Sequence, residues 1–185
     1  MDSASESDLR RTAESGDVEA IHKLASVLVM RQQYSEAEIW YERAAALGDK
    51  VALVNLGAIV SKRDPELAER YLREAAAAGI DLAMHNLAFM LENRIQDEAM
   101  MWYLKAAQRG YAPSMYNLAM IMKPERPAEA KRWLSLAARE GHAGSMFQLA
   151  RLLEDADPTA AEHWYRKAAD AGDPRAAAAA RQHDR

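Results

Sequence analysis

Gly16, Gly48, Gly79, Gly110, Gly141 and Gly172 fall 32, 31, 31, 31 and 31 residues apart, and their surroundings repeat with them. Eight residues before each of the last five stand Trp40, Tyr71, Trp102, Trp133 and Trp164. Three residues further back stand Ala37, Ala68, Ala99, Ala130 and Ala161. Leu24, Leu56, Leu87, Leu118 and Leu149 lie eight residues after each of the first five glycines. A period of this length marks stacked supersecondary units, each burying its apolar side against the next. Such arrays leave long surfaces for partners.

Each unit reads as two helices. In residues 49–79, Ala52, Leu53, Leu56, Ile59 and Val60 recur at offsets of three and four, a helical stripe. Asp64-Pro65-Glu66 then supplies a capping side chain, a proline suited to the first helical position and an acidic first turn. The second helix carries Ala68, Tyr71, Leu72, Ala75 and Ala76 and stops at Gly79, which can adopt the left-handed conformation. Asp157-Pro158 repeats the start signal, and Asp173-Pro174 opens the final helix. The pairs Ala44-Ala45, Ala75-Ala76, Ala106-Ala107, Ala137-Ala138 and Ala168-Ala169 let helices approach closely. The large aromatic one turn earlier is expected to fill the adjoining core. Residues from about Asp8 to Ser15 read as a lone second helix, and Asp173 to about Gln182 as a lone first helix. The expectation is a disordered segment over 1–6 and one repeat domain over 7–183, with five full units between two half units.

Composition excludes several classes. Lys and Arg total 24 against 28 Asp and Glu, a net charge of −4, which argues against a dedicated nucleic-acid or anionic-membrane surface. There is no cysteine, so disulfides and thiolate metal sites are ruled out. The start MDSASESDLRR does not read as a signal peptide, and no apolar run reaches spanning length. The chain reads as cytoplasmic, and its alanine- and arginine-rich composition points to a bacterial source.

AEIWYERAAALGD, DEAMMWYLKAAQRGYAPSMYNLA and AEHWYRKAADAGD resemble Sel-1-like repeats, relatives of the tetratricopeptide repeat. The family's Ala-x-x-Trp-Tyr-x-x-Ala-Ala-x-x-Gly run is matched by residues 99–110 and 161–172, and its Ala-x-x-Asn-Leu-Gly/Ala run by residues 52–57 and 83–88. The loop between paired helices, which the family usually keeps long and glycine-containing, is cut here to pieces such as SKRDP and KPERP. The resemblance implies an all-α solenoid, a right-handed superhelix of about five 31-residue helix-turn-helix repeats with a half-repeat at each end. It also implies a protein–protein interaction scaffold or adaptor, often regulatory, without catalytic activity.

In tetratricopeptide-like arrays the first helix of each pair lines the concave groove. By that analogy the groove positions lie six residues after each glycine (His22, Val54, His85, Tyr116, Phe147) and ten after it (Ser26, Ala58, Phe89, Met120, Arg151). The expected partner site comprises His85, Phe89, Tyr116, Met120, Phe147 and Arg151, with Asn86 and Asn117 one place along. Aromatic side chains and methionine anchor interfaces. Tyr116 and Phe147 are favoured as contacts over Phe89 and Met120, which are weighed equally as groove fillers. The asparagines have two readings, bonding a peptide backbone or satisfying backbone groups between repeats.

The five histidines are scattered, and none pairs at the one-turn spacing of a helical zinc site. No phosphate loop or nucleophile elbow is present. No metal, cofactor or nucleic-acid partner is therefore expected. The expected partner is another protein or peptide segment. Two alternatives stand beside it: a homo-oligomerising module, and a small-ligand or hydrolase-like protein with His85 and Tyr116 as an acid–base pair.

Overall fold

The computed structural model describes residues 3–183. Twelve helices and no strand occur among them: α1 (Ser3–Glu14), α2 (Val18–Met30), α3 (Tyr34–Ala46), α4 (Lys50–Val60), α5 (Pro65–Ala77), α6 (Asp81–Leu91), α7 (Gln96–Gln108), α8 (Ala112–Met122), α9 (Pro127–Arg139), α10 (Ala143–Leu153), α11 (Pro158–Asp170) and α12 (Ala176–His183). The even-numbered helices are the first members of the pairs and the odd-numbered helices from α3 are the second. At Gly79 the backbone takes φ 89°, open to glycine at no steric cost, and the other five repeat glycines match it. Asp64 and Asp157 cap α5 and α11 by accepting from the Leu67 and Ala160 amides, as their Asp-Pro signals predict.

The residues divide into two compact units, Met1–Leu87 and Ala88–Arg185, with the division inside α6. In the first, Ile21, Leu24, Leu28, Leu56 and Val60 are buried among Ala37, Ala44, Ala52, Ala68 and Ala75. In the second, Leu118 of α8 and Leu149 of α10 are buried along with alanines of α7, α9 and α11, and Leu149 clusters with Ala138, Met146 and Ala168. Small side chains on the second helices thus face leucines on the first, the alternation that lets helices pack closely.

Three details differ from the sequence reading. The first helix starts at Ser3 rather than near Asp8, so the part of 1–6 that is described is helical. Glu6 lies in its first turn, where negative charge suits the helix dipole, and pairs with Arg31 at 2.9 Å. Met1 and Asp2 lie outside the described residues. At the other end α12 starts at Ala176, because Asp173 turns its carboxylate onto Arg175.

The third difference concerns the aromatic pairs. Trp102, Trp133 and Trp164 are only partly buried, whereas Tyr103 and Tyr165 beside two of them are fully enclosed. The Tyr103 hydroxyl donates to Glu92 at 2.8 Å and accepts from Asn117 at 3.0 Å. Tyr165 meets Glu154 in the same way, eleven residues back. Burial first, then the neighbouring carboxylate, pushes both hydroxyls well above the ordinary tyrosine range. The deeper core position is therefore the residue after the aromatic, filled by Tyr41, Leu72, Tyr103, Leu134 and Tyr165, with Trp40 alone of the tryptophans also buried.

Candidate functional site

The row six residues after each glycine is used internally. His22 pairs with Asp49, whose second oxygen accepts from the Val51 amide at 2.9 Å and so starts α4. The Tyr116 ring lies 5.0 Å from His142, whose Nδ1 accepts from the Ser145 amide at 3.2 Å and starts α10. Phe147 sits edge-on to Tyr165 at 5.5 Å with the Arg175 guanidinium 4.4 Å from its ring centre. Asp173 grips that guanidinium at 3.0 and 2.6 Å. Val54, in the same row, is buried. In three units the side chain at this position thus reaches the residue just before the next first helix.

The electrostatics fit a half-buried seam. Burial pushes the His142 imidazole below its ordinary pKa, opposed by the Asp173 charge, and so keeps Nδ1 free to accept. The Arg175 hydrogen bond holds the Asp173 carboxyl below the usual carboxylate range. Tyr116 and Phe147, favoured from sequence as contacts for a partner, are each engaged by neighbouring repeats. Asn117 donates to the buried Tyr103 hydroxyl, a side-chain partner rather than a backbone group. His85 and Asn86 lie half-buried on α6 in the first unit.

The row ten residues after each glycine is presented outward. Ser26, Ala58, Phe89 and Arg151 are exposed and Met120 is half-buried. Phe89 is 67% exposed, and Arg151 forms no ion pair among the described residues. Within the second unit the row reads Phe89, Met120, Arg151: an aromatic, a flexible thioether and a cation on three successive first helices. An apolar anchor beside a free charge suits an amphipathic segment. Among the described residues no group of three metal-ligating side chains converges, and no helix is long and apolar enough to cross a membrane.

The Sel1 repeat profile matches residues 19–49, 52–80, 81–111, 112–142 and 143–173, one match per helix pair. The chain belongs to the Sel1 repeat family. Solved structures of similar fold include a Sel1 repeat protein from Oxalobacter formigenes, at TM-score 0.79 and 20% identity, covering 86% of this chain and 75% of that one. A protective antigen of uropathogenic Escherichia coli with an SLR fold matches at TM-score 0.77 and 21% identity, over 92% of this chain. This chain spans 42% of that antigen's length. A tetratricopeptide-repeat protein with an unusual peptide-binding site matches at TM-score 0.56 and 17% identity, covering 94% of this chain and 97% of that one. No curated protein matches in sequence. At these identities the likeness concerns the Sel1 fold alone.

Proposed function

We propose that the chain is a non-enzymatic scaffold or adaptor that binds a segment of another protein along Phe89, Met120 and Arg151. Sel1 and tetratricopeptide repeats generally serve as protein–protein interaction scaffolds, and one structural neighbour is described as having a peptide-binding site. The observation that carries the reading is the 67% exposure of Phe89, in one row with the half-buried Met120 and the exposed Arg151. An isolated large aromatic presented to water on a well-packed helix is an anchor in search of a pocket. Arg151 extends the row toward an acidic residue of the partner. Tyr116 and Phe147 contribute by holding α8 and α10 in place, and Asn117 by serving the Tyr103 hydroxyl.

The test is capture of partners on immobilised protein, comparing wild type with Phe89→Glu/Met120→Glu and with Ile39→Glu, an exposed apolar control on α3. A partner retained by wild type and the control, and lost by the double variant at unchanged melting temperature, is the expected result. Equal retention by all three overturns the site. Sedimentation of the same proteins checks self-association: a dimer abolished by the double variant assigns the row to a second copy.

A further inference from the structure

Three tryptophans of the second helices each carry a cation of their own. Arg43 lies 5.5 Å from the Trp40 ring centre, Lys105 lies 4.2 Å from Trp102 and Lys167 lies 5.2 Å from Trp164. All three cations come from the residue three places on, where a helix puts its neighbour on the same face. Trp133 stands at the same register in α9, but three places on is Leu136, which is 44% exposed. Among the described residues no cation covers the Trp133 ring. A groove of about 400 Å³, lined by Glu129, Arg132, Trp133 and Leu136, lies there instead.

We propose that this groove on α9 receives a single lysine or arginine side chain, flanked by uncharged or acidic residues, from a partner protein. It would fill from outside the place that Arg43, Lys105 and Lys167 fill from within. The indole face attracts cations most strongly of all the aromatic rings. Leu136 offers an apolar shelf for the methylene stem. Glu129, one turn before Trp133, supplies the opposite charge, and its pairing with Arg126 at 3.8 Å is loose and half exposed, so it is open to exchange. Arg132 adds a positive charge to the lining. That charge selects one basic side chain flanked by neutral or acidic residues over a run of cations. The groove lies on a second helix, whereas Phe89, Met120 and Arg151 lie on first helices, so the two sites can hold different segments.

The test follows the Trp133 indole N–H signal in ¹⁵N spectra of the full chain, assigned with Trp133→Phe. The probe is acetyl-Ala-Lys-Ala-amide, with the norleucine tripeptide as its uncharged counterpart. Saturable movement of the Trp133 signal is expected, about two- to fivefold tighter for lysine than for norleucine, the range of an exposed cation–π contact. Leu136→Lys restores the internal pattern of the other three repeats, so it is expected to fold like wild type and to weaken binding by a similar factor. Equal response to both peptides, no response to either, or binding unchanged by Leu136→Lys each overturns the proposal.

Discussion

Tyr116 and Met120 stand one turn apart on α8 and face different worlds. Tyr116 lies with its ring 5.0 Å from that of His142, joining its helix to the start of α10. Met120 belongs to the outward row with Phe89 and Arg151. The same division separates Phe147 from Arg151 on α10. In a repeat array, four residues along one helix can separate a side chain that holds the stack together from one that is left for a partner.

The largest effect that sharpens this contrast lies beneath both rows. Tyr103→Ala should destabilise the second unit by about 3–5 kcal/mol in urea titration, as large core truncations do, because Tyr103 is fully enclosed. Trp102→Ala, at a partly exposed ring, should cost less. Equal losses would return the core role to the tryptophan. Next comes Phe147→Ala, expected to cost about 1–3 kcal/mol through lost ring packing and the lost Arg175 contact. A cost as small as that of a surface change would dissolve the seam.

A smaller effect tests the seam at His142. Its folded-state pKa is lowered below about 6.5, so the unfolded chain binds the proton more readily. The associated stability is complete above that pH and falls as pH drops through it. Denaturation midpoints across pH 8 to 5 should show this fall in wild type. His142→Asp, which places at this position the residue found at Asp17 and Asp49, should lose that component. The smallest effect is Phe89→Ala, expected within about 0.5 kcal/mol of wild type by thermal melting. A large loss there would mean that the outward row is core after all.

The period, the glycine stops, the Asp-Pro starts and the alanine pairs were all legible, because each is a local rule repeated at fixed spacing. The choice between Trp102 and Tyr103 was not. Adjacent helix positions differ by about 100°, and spacing from a glycine cannot say which of two neighbouring faces lies deeper. A clue was present: Tyr103 and Tyr165 each have a glutamate eleven residues earlier, whereas Leu72 and Leu134 have Ser61 and Lys123 there. The seam row needed the distance between consecutive repeats. Tyr116 and His142 are 26 residues apart in sequence, and only the stacked helices bring them to 5.0 Å.

The first repeat is one residue longer than the rest, and the chain absorbs that residue locally. Helix α2 has 13 residues where α4, α6, α8 and α10 have 11, and the turn to α3 tightens to three residues with Gln32 at φ 62°. By Asp49 the cap and its His22 partner are back in register. A change of length inside one repeat is therefore quarantined by its own turn. Turns between paired helices are the places where such a chain can be lengthened or shortened without rewriting its neighbours.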